Sequence, residues 1–176
     1  MSRRCAVFLP MPGILLSRGI DVLEVQGAVS TPLASFAVSH SKDFDENNRQ
    51  AELALLETAS HNDYREGGKK ILGQTGVNAQ DNILRAIETY QTNPTESKEH
   101  PTGNVIRVNP VPAYIKSLKT IFKPEDFDQL GPILLDVHYG AGAPMSKVLK
   151  AFGVQHEIMR KGLPPKGYAK GSEPKV

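Results

Sequence analysis

Short apolar runs alternate with helix-like segments along this chain, and this alternation constrains the fold more than any other feature. Continuous apolar runs are typical of buried strands, whereas apolar residues that recur every three or four positions are typical of helices. Their alternation favours an α/β fold with a mixed or parallel sheet. The predicted strands cover residues 5–9, 20–25, 53–56, 69–72, 105–108 and 133–137, and the predicted helices cover 14–18, a segment from 31 to about 40, 79–90, 112–122 and 145–152.

Composition suggests where the chain divides. Residues 92–104 are rich in Pro, Thr, Ser, Asn and Glu, which is typical of a linker. We therefore expect a first domain over residues 1–95 and the start of a second over 104–176. Residues 41–50 are predicted to form a charged surface loop, and the chain from about 157 onward is predicted to be irregular.

The overall composition is that of a soluble globular protein, with 39% hydrophobic and 23% charged residues and a net charge of +2. This charge gives no case for a nucleic-acid partner. The single cysteine, Cys5, excludes an intrachain disulfide and fits a reducing compartment, so a cytoplasmic location is expected. The apolar run after it is too short to span a membrane and is broken by Pro10, Pro12 and Gly13, so neither a signal peptide nor a membrane partner is expected.

Ser60 follows the predicted strand 53–56 within a short polar stretch. The loop at the carboxyl end of a strand is where α/β sheets bind ligands, which would make Ser60 a nucleophile or a phosphate contact. An ordinary turn with a polar cap fits the spacing as well, and is the commoner case. A Ser-His-Asp hydrolase is disfavoured, because the adjacent Ser60 and His61 point their side chains differently and there is no G-x-S-x-G turn.

Three further polar residues, Asp136, His138 and His156, are possible metal ligands. Asp136, however, ends a predicted strand just before Gly140. A turn-capping role is therefore the favoured interpretation of Asp136.

The stretch Thr58-Ala59-Ser60-His61-Asn62 resembles the phosphoserine loop of the α-D-phosphohexomutases, the phosphoglucomutase/phosphomannomutase superfamily. The family pattern is T-A-S-H-N-P, a few residues, and then N-G-x-K. Gly68 and Lys70 match its end, whereas Asp63 replaces the usual Pro and Gly67 replaces the usual Asn.

Weaker matches follow in the family's order at 18–22, 27–38, 114–119 and 135–142. The departures are Leu9-Pro10-Met11-Pro12 in place of an arginine-bearing strand end, and no D-x-D-x-D-R metal loop, sugar-selecting loop or fourth-domain phosphate loop in this sequence. The resemblance thus implies a three-layer α/β/α fold with a mixed sheet, comprising one incomplete domain and part of a second.

By resemblance, Ser60 would carry the phosphoryl group that passes to a hexose phosphate, and Mg²⁺ would be bound through the serine phosphate. His61 and Asn62 would shape the loop, with Thr58 and Gly68 as further members. A simple hydrogen bond within the loop is the open alternative for His61.

Lys70 would be a cationic contact near the serine by the same resemblance, and a solvated strand lysine is its open alternative. Two hypotheses follow for the chain. One is intramolecular phosphoryl transfer on hexose phosphates, with the remaining domains supplied by another chain or within a homo-oligomer. The other is a truncated, non-catalytic remnant that binds a sugar phosphate or a partner.

Overall fold

The computed structural model describes residues 3–7, 12–25, 27, 29–58, 68–92 and 102–162, and these form two compact units. In both units helices and strands alternate, which confirms the predicted α/β class. Among the described residues no helix is long and apolar enough to cross a membrane. The first unit comprises Met1–Gln26, Ala34–Glu57 and Lys69–Val108, and the second comprises Gly27–Leu33, Thr58–Gly68 and Asn109–Val176.

A five-stranded sheet organises the first unit. Its strands are β1 (Arg3–Val7), β2 (Ile20–Val25), β3 (Leu53–Thr58), β4 (Gly68–Gly73) and β5 (Val105–Val108), in the order β4-β3-β1-β2-β5. The central strand β1 runs parallel to both neighbours, with Cys5 opposite Val22 on one side and Leu53 on the other. The predicted strand 5–9 overlaps β1 at Cys5-Ala6-Val7, and residues 8 and 9 lie outside the described residues.

Three helices belong to the connections between these strands: α1 (Pro12–Ser17), α2 (Thr31–Ser39) and α3 (Asp81–Thr92). Leu15 and Leu16 of α1 pack around Val22, which is fully buried. In α2 the buried side chains include Ala34, Ala37 and Val38. His40, at the end of the helix predicted from 31 to about 40, is exposed and stacks on Phe36 with ring centroids 4.1 Å apart.

The segment predicted as a charged surface loop, residues 41–50, contains buried polar groups. Its 3₁₀ turn starts at Ser41, which is fully buried and accepts a hydrogen bond from the Ala51 N–H at 2.8 Å. Arg49 reaches the buried carboxylates of Asp45 at 3.3 Å and Asp21 at 3.1 Å. The predicted surface loop is confirmed for Lys42, Asp43 and Glu46, which are exposed, but charge pattern alone does not reveal a partner 28 positions earlier in the chain.

Asp21 is the centre of this polar network and is only 4% exposed. Besides Arg49, it accepts hydrogen bonds from the backbone N–H of Asn104 at 2.8 Å and from the Asn104 side chain at 3.1 Å. A buried carboxylate is tolerated when it is paired and hydrogen-bonded in this way. The network therefore joins β2 to the chain entering β5 and to the chain entering β3.

β5 lies in the first unit, next to β2, with Val22 opposite Val105 and Val25 opposite Val108. Residues 105–108 were predicted to begin a second domain. A linker-like composition marks the loop before them but does not reveal which strand they pair with.

The second unit contains α4 (Val111–Leu118), β6 (Ile133–Asp136), α5 (Met145–Ala151) and β7 (His156–Met159). Its core contains Val148, Phe152 and Val154, with Ile115 and Leu118 of α4 packed against them. β6 was predicted to be fully buried, but its residues alternate between half-buried and exposed, and Leu134 is 59% exposed.

β7 corrects the prediction of an irregular tail from about residue 157. It pairs in parallel with β6, and Ile133 lies opposite His156 and Asp136 opposite Met159. Four residues without a long apolar run carry little strand signal, so the pairing with β6 decides their conformation. Residues 163–176 of the predicted tail lie outside the described residues.

Candidate functional site

The structure brings Thr58 and Gly68 together. Thr58 ends β3, Gly68 begins β4, and these two strands are hydrogen-bonded neighbours in the sheet. A Cβ added to Gly68 would lie 3.6 Å from the Thr58 carbonyl oxygen, an ordinary van der Waals distance. Residues 59–67, which include the predicted site residues Ser60, His61 and Asn62, lie outside the described residues.

Lys70 is the third residue of β4 and is half-buried. Because side chains alternate along a strand, Lys70 shares a face with the buried Leu72, whereas Lys69 projects to the other face and is exposed. β4 is an edge strand of the sheet. Lysines on an edge strand also discourage pairing with other chains, so this position fits both interpretations of Lys70.

Asp136 caps the turn after β6, as the sequence analysis favoured. Its Oδ1 accepts a hydrogen bond from the His138 N–H at 3.0 Å and from Arg160 Nε at 2.9 Å, and Oδ2 pairs with Arg160 Nη2. The side-chain hydrogen bond from Arg160, assisted by the backbone N–H of His138, lowers the pKa of the Asp136 carboxyl below its usual value. The described residues contain no group of three or more His, Cys, Asp or Glu side chains that could hold a metal ion.

Positive φ angles surround this turn. His138, Tyr139 and Arg160 have φ of 47°, 59° and 51°, a region that non-glycine residues rarely adopt. The Tyr139 N–H donates to the Arg160 carbonyl oxygen at 2.6 Å, so the two segments hold each other in this conformation.

His156 forms a pair with Ser146 that the sequence analysis did not find. The Ser146 hydroxyl lies 2.7 Å from His156 Nε2, and His156 Nδ1 lies 2.9 Å from the Val154 carbonyl oxygen. A carbonyl oxygen only accepts, so in the neutral ring Nδ1 carries the proton and Nε2 accepts from Ser146. The Nδ1 of His156 is bound to a carbonyl oxygen and not to a carboxylate. The hydrogen bond between Ser146 and His156 joins α5 to β7. No local motif connects these two residues, so only the packing of α5 on β7 reveals them.

The fold and the paired ends of β3 and β4 define an α/β domain with a candidate site where these two strands meet. The family model for "Phosphoglucomutase/phosphomannomutase, alpha/beta/alpha domain I" matches residues 11–98, half of the chain. The protein belongs to this family, as its resemblance to the phosphohexomutases implied.

Individual relatives and solved structures agree with this family. The chain is 32% identical over 93 residues to phosphoglucosamine mutase from Leuconostoc citreum, and 30% identical over 129 residues to phosphoglucosamine mutase from Cutibacterium acnes. These alignments cover 53% and 72% of this chain, but only 18% and 27% of the relatives.

Two crystal structures share the fold. A proposed phosphomannomutase from Thermus thermophilus has a TM-score of 0.71 at 23% identity, over 93% of this chain and 38% of its own. A phosphoglucomutase/phosphomannomutase family protein from Burkholderia thailandensis has a TM-score of 0.68 at 16% identity, over 96% of this chain and 38% of its own. The chain therefore spans well under half the length of these proteins.

Proposed function

We propose that this protein takes part in phosphoryl transfer on hexose phosphates, with Ser60 as the phosphoryl carrier. The observation that carries the proposal is the family match over residues 11–98, because it contains the sequence Thr58-Ala59-Ser60-His61-Asn62 at the end of β3. Loops that follow the carboxyl ends of strands are the usual ligand sites of α/β sheets. The relatives named phosphoglucosamine mutase make an amino-sugar phosphate the first substrate to test.

The proposed reaction has two phosphoryl transfers. A hydroxyl oxygen of the hexose monophosphate attacks the phosphorus on Ser60, the bond to Ser60 Oγ breaks, and a hexose bisphosphate forms. The Ser60 hydroxyl then attacks the other phosphate of this bisphosphate, which returns a phosphoryl group to Ser60 and releases the isomeric monophosphate. Phosphoryl transfer depends mainly on positioning and charge neutralisation.

The residues at the two strand ends have proposed roles in that positioning. Thr58 and Gly68 would fix where the loop leaves β3 and enters β4, and His61 and Asn62 would shape the loop between them. Lys70 would supply positive charge beside the transferred group, since a lysine ammonium binds phosphate as a point charge.

The described part of the chain does not provide a complete ligand set for the Mg²⁺ that the resemblance implied. Mg²⁺ requires near-octahedral oxygen coordination, and no cluster of three or more acidic or histidine side chains is present among those residues. Placement of the protein in the cytoplasm remains a prediction from the sequence.

The test compares the wild-type chain with Ser60→Ala and with the control Ser17→Ala, whose serine is exposed in α1. Each protein is incubated with a hexose 1,6-bisphosphate and Mg²⁺, and the phosphorylated residue is located by mass spectrometry. Conversion of glucosamine 1-phosphate and glucose 1-phosphate is then measured. We expect Ser60 to be phosphorylated and turnover to require it, with Ser17→Ala unchanged.

Lack of phosphate on wild-type Ser60, together with lack of turnover, would refute the phosphoryl-carrier proposal. Calorimetric titration with glucose 6-phosphate would then decide whether the alternative, a non-catalytic chain that binds a sugar phosphate, applies. Phosphorylation without turnover would retain Ser60 as the carrier and would indicate that further domains, on another chain or another copy, complete the reaction.

A further inference from the structure

The second unit contains a small apolar cavity that has no role in the phosphoryl transfer proposed above. Its volume is about 160 Å³, and all of its lining residues belong to the second unit. Leu33, Val111 and Val148 line it and are each less than 9% exposed, so its deep part is well covered by the protein. The ring of Tyr114 and the side chain of Met145 complete the apolar wall, and Met145 is 41% exposed.

The chemistry of the wall excludes a charged or sugar-like ligand. Among the described residues of the lining there is no Asp, Glu, Lys, Arg or His, and only Ser30 and Tyr114 carry a hydroxyl. A phosphate placed there would lose its hydration without gaining a cation, and a sugar would leave several hydroxyls unpaired. The cavity is therefore unsuited to the hexose phosphates of the proposed function.

The volume sets the size of a suitable ligand. An enclosed apolar cavity of about 150 Å³ in another protein binds benzene, and this cavity, which opens to solvent at Met145, has a comparable volume. The aromatic ring and the thioether in this wall favour an aromatic guest, since both give attractive contacts with aromatic rings beyond simple area burial.

We propose that this cavity is a binding site for small, uncharged, monocyclic aromatic molecules. The site is distinct from the ends of β3 and β4, and the proposal does not depend on the activity of Ser60. With few ligand atoms available for contact, we expect a dissociation constant of roughly millimolar or tighter.

Toluene is the probe, and methyl-detected NMR on the full chain is the measurement. We expect saturable shifts and intermolecular nuclear Overhauser effects at the methyl groups of Met145 and Val148. The methyl groups of Val22, which is buried in the core of the first unit, serve as the internal control and are expected to remain unchanged.

A matched pair of variants tests the location. Ala141 lines the cavity, whereas Ala143 is half-buried in the same loop and does not line it. Ala141→Leu fills part of the volume and is expected to weaken toluene binding by at least about tenfold, while Ala143→Leu leaves it unchanged. Should Ala141→Leu fail to fold, Ser30→Leu fills the cavity from a different segment.

Three results would overturn the proposal. These are a lack of Overhauser effects at Met145 and Val148 under saturating toluene, equal shifts at Val22, or equal affinity in the two alanine variants. Glucose 6-phosphate is titrated in parallel, and its binding with the same methyl shifts would contradict the apolar character of the site. Failure here leaves the Ser60 proposal intact, since its readout is phosphorylation.

Discussion

Each of the two units contains an arginine–carboxylate group, and the two groups differ mainly in burial. In the first unit Arg49 lies between Asp21 and Asp45, whose side chains are 5% and 1% exposed. In the second unit Arg160 pairs with Asp136, and the two side chains are 36% and 30% exposed. The carboxylates of the first group are shielded from water and that of the second is not, whereas Arg49 and Arg160 are about equally exposed, so similar bonds have different consequences.

Two turns with a glycine at positive φ, one in each unit, also differ in how closely they are packed. Gly76 and Gly153 both have positive φ, at 82° and 75°. A Cβ on Gly76 would lie 2.5 Å from the carbonyl oxygen of Ser35, whereas a Cβ on Gly153 would meet nothing within 4 Å. Ser35 also donates its hydroxyl to the Gly76 carbonyl at 2.6 Å, so this turn is held closely against α2. In the first unit, the carboxylates bound to Arg49 and the turn at Gly76 are thus both closely packed.

The largest expected effect is a loss of stability in Gly76→Ala, for which Gly153→Ala is the matched control. Gly153→Ala carries only the backbone cost of a left-handed residue, about 1–2 kcal/mol. Gly76→Ala adds a clash with backbone and should lower the free energy of unfolding by about 2–5 kcal/mol. Urea denaturation of both variants measures the difference, and equal losses would contradict the close packing of this turn.

A smaller effect is expected from Arg49→Ala, with Arg160→Ala as its matched control. Removing Arg49 takes one guanidinium away from two buried carboxylates, which should cost about 2–3 kcal/mol, less than for a fully enclosed pair because Arg49 is 37% exposed. Arg160→Ala should change the urea midpoint little, because its pair is exposed to solvent. A larger loss in Arg160→Ala than in Arg49→Ala would reverse our comparison of the two units.

The smallest effect concerns acid. The folded-state pKa of Asp136 is lowered by Arg160, so its contribution to stability is present above the ordinary value of 3.8 and is lost as the pH falls through the lower folded value. As the pH falls below 3.8, the free energy of unfolding of Asp136→Asn should therefore decrease slightly less than that of the wild type. Its dependence on pH near neutrality should change little. Carbon-detected NMR titration of the Asp136 carboxyl in wild-type and Arg160→Ala proteins measures the shift directly. An unchanged pKa in Arg160→Ala would show that Arg160 is not its cause.

Much of the fold could be predicted from local pattern. The bounds of β2 match the predicted 20–25, and the predicted helices 14–18 and 145–152 correspond to α1 and α5, each followed two residues later by a glycine with positive φ, Gly19 and Gly153. The family was also accessible, because the sequence around Ser60 is local. Of the candidate site, the structure describes Thr58, Gly68 and Lys70, and their predicted roles stay predictions.

The remaining features depend on residues that are far apart in the chain. Arg49 and Asp21 are 28 positions apart, and β5 pairs with β2 across a longer separation still, as between Val22 and Val105. Neither the burial of Asp21 nor the short strand β7 follows from periodicity, since each is stabilised by a partner that local sequence does not specify. The sequence by itself therefore determined the α/β class, the approximate positions of the helices and the family, although α4 ends at Leu118 rather than at the predicted residue 122. Only the tertiary structure decided which charges are buried, which strands pair and where the apolar cavity lies, because these depend on contacts between distant segments.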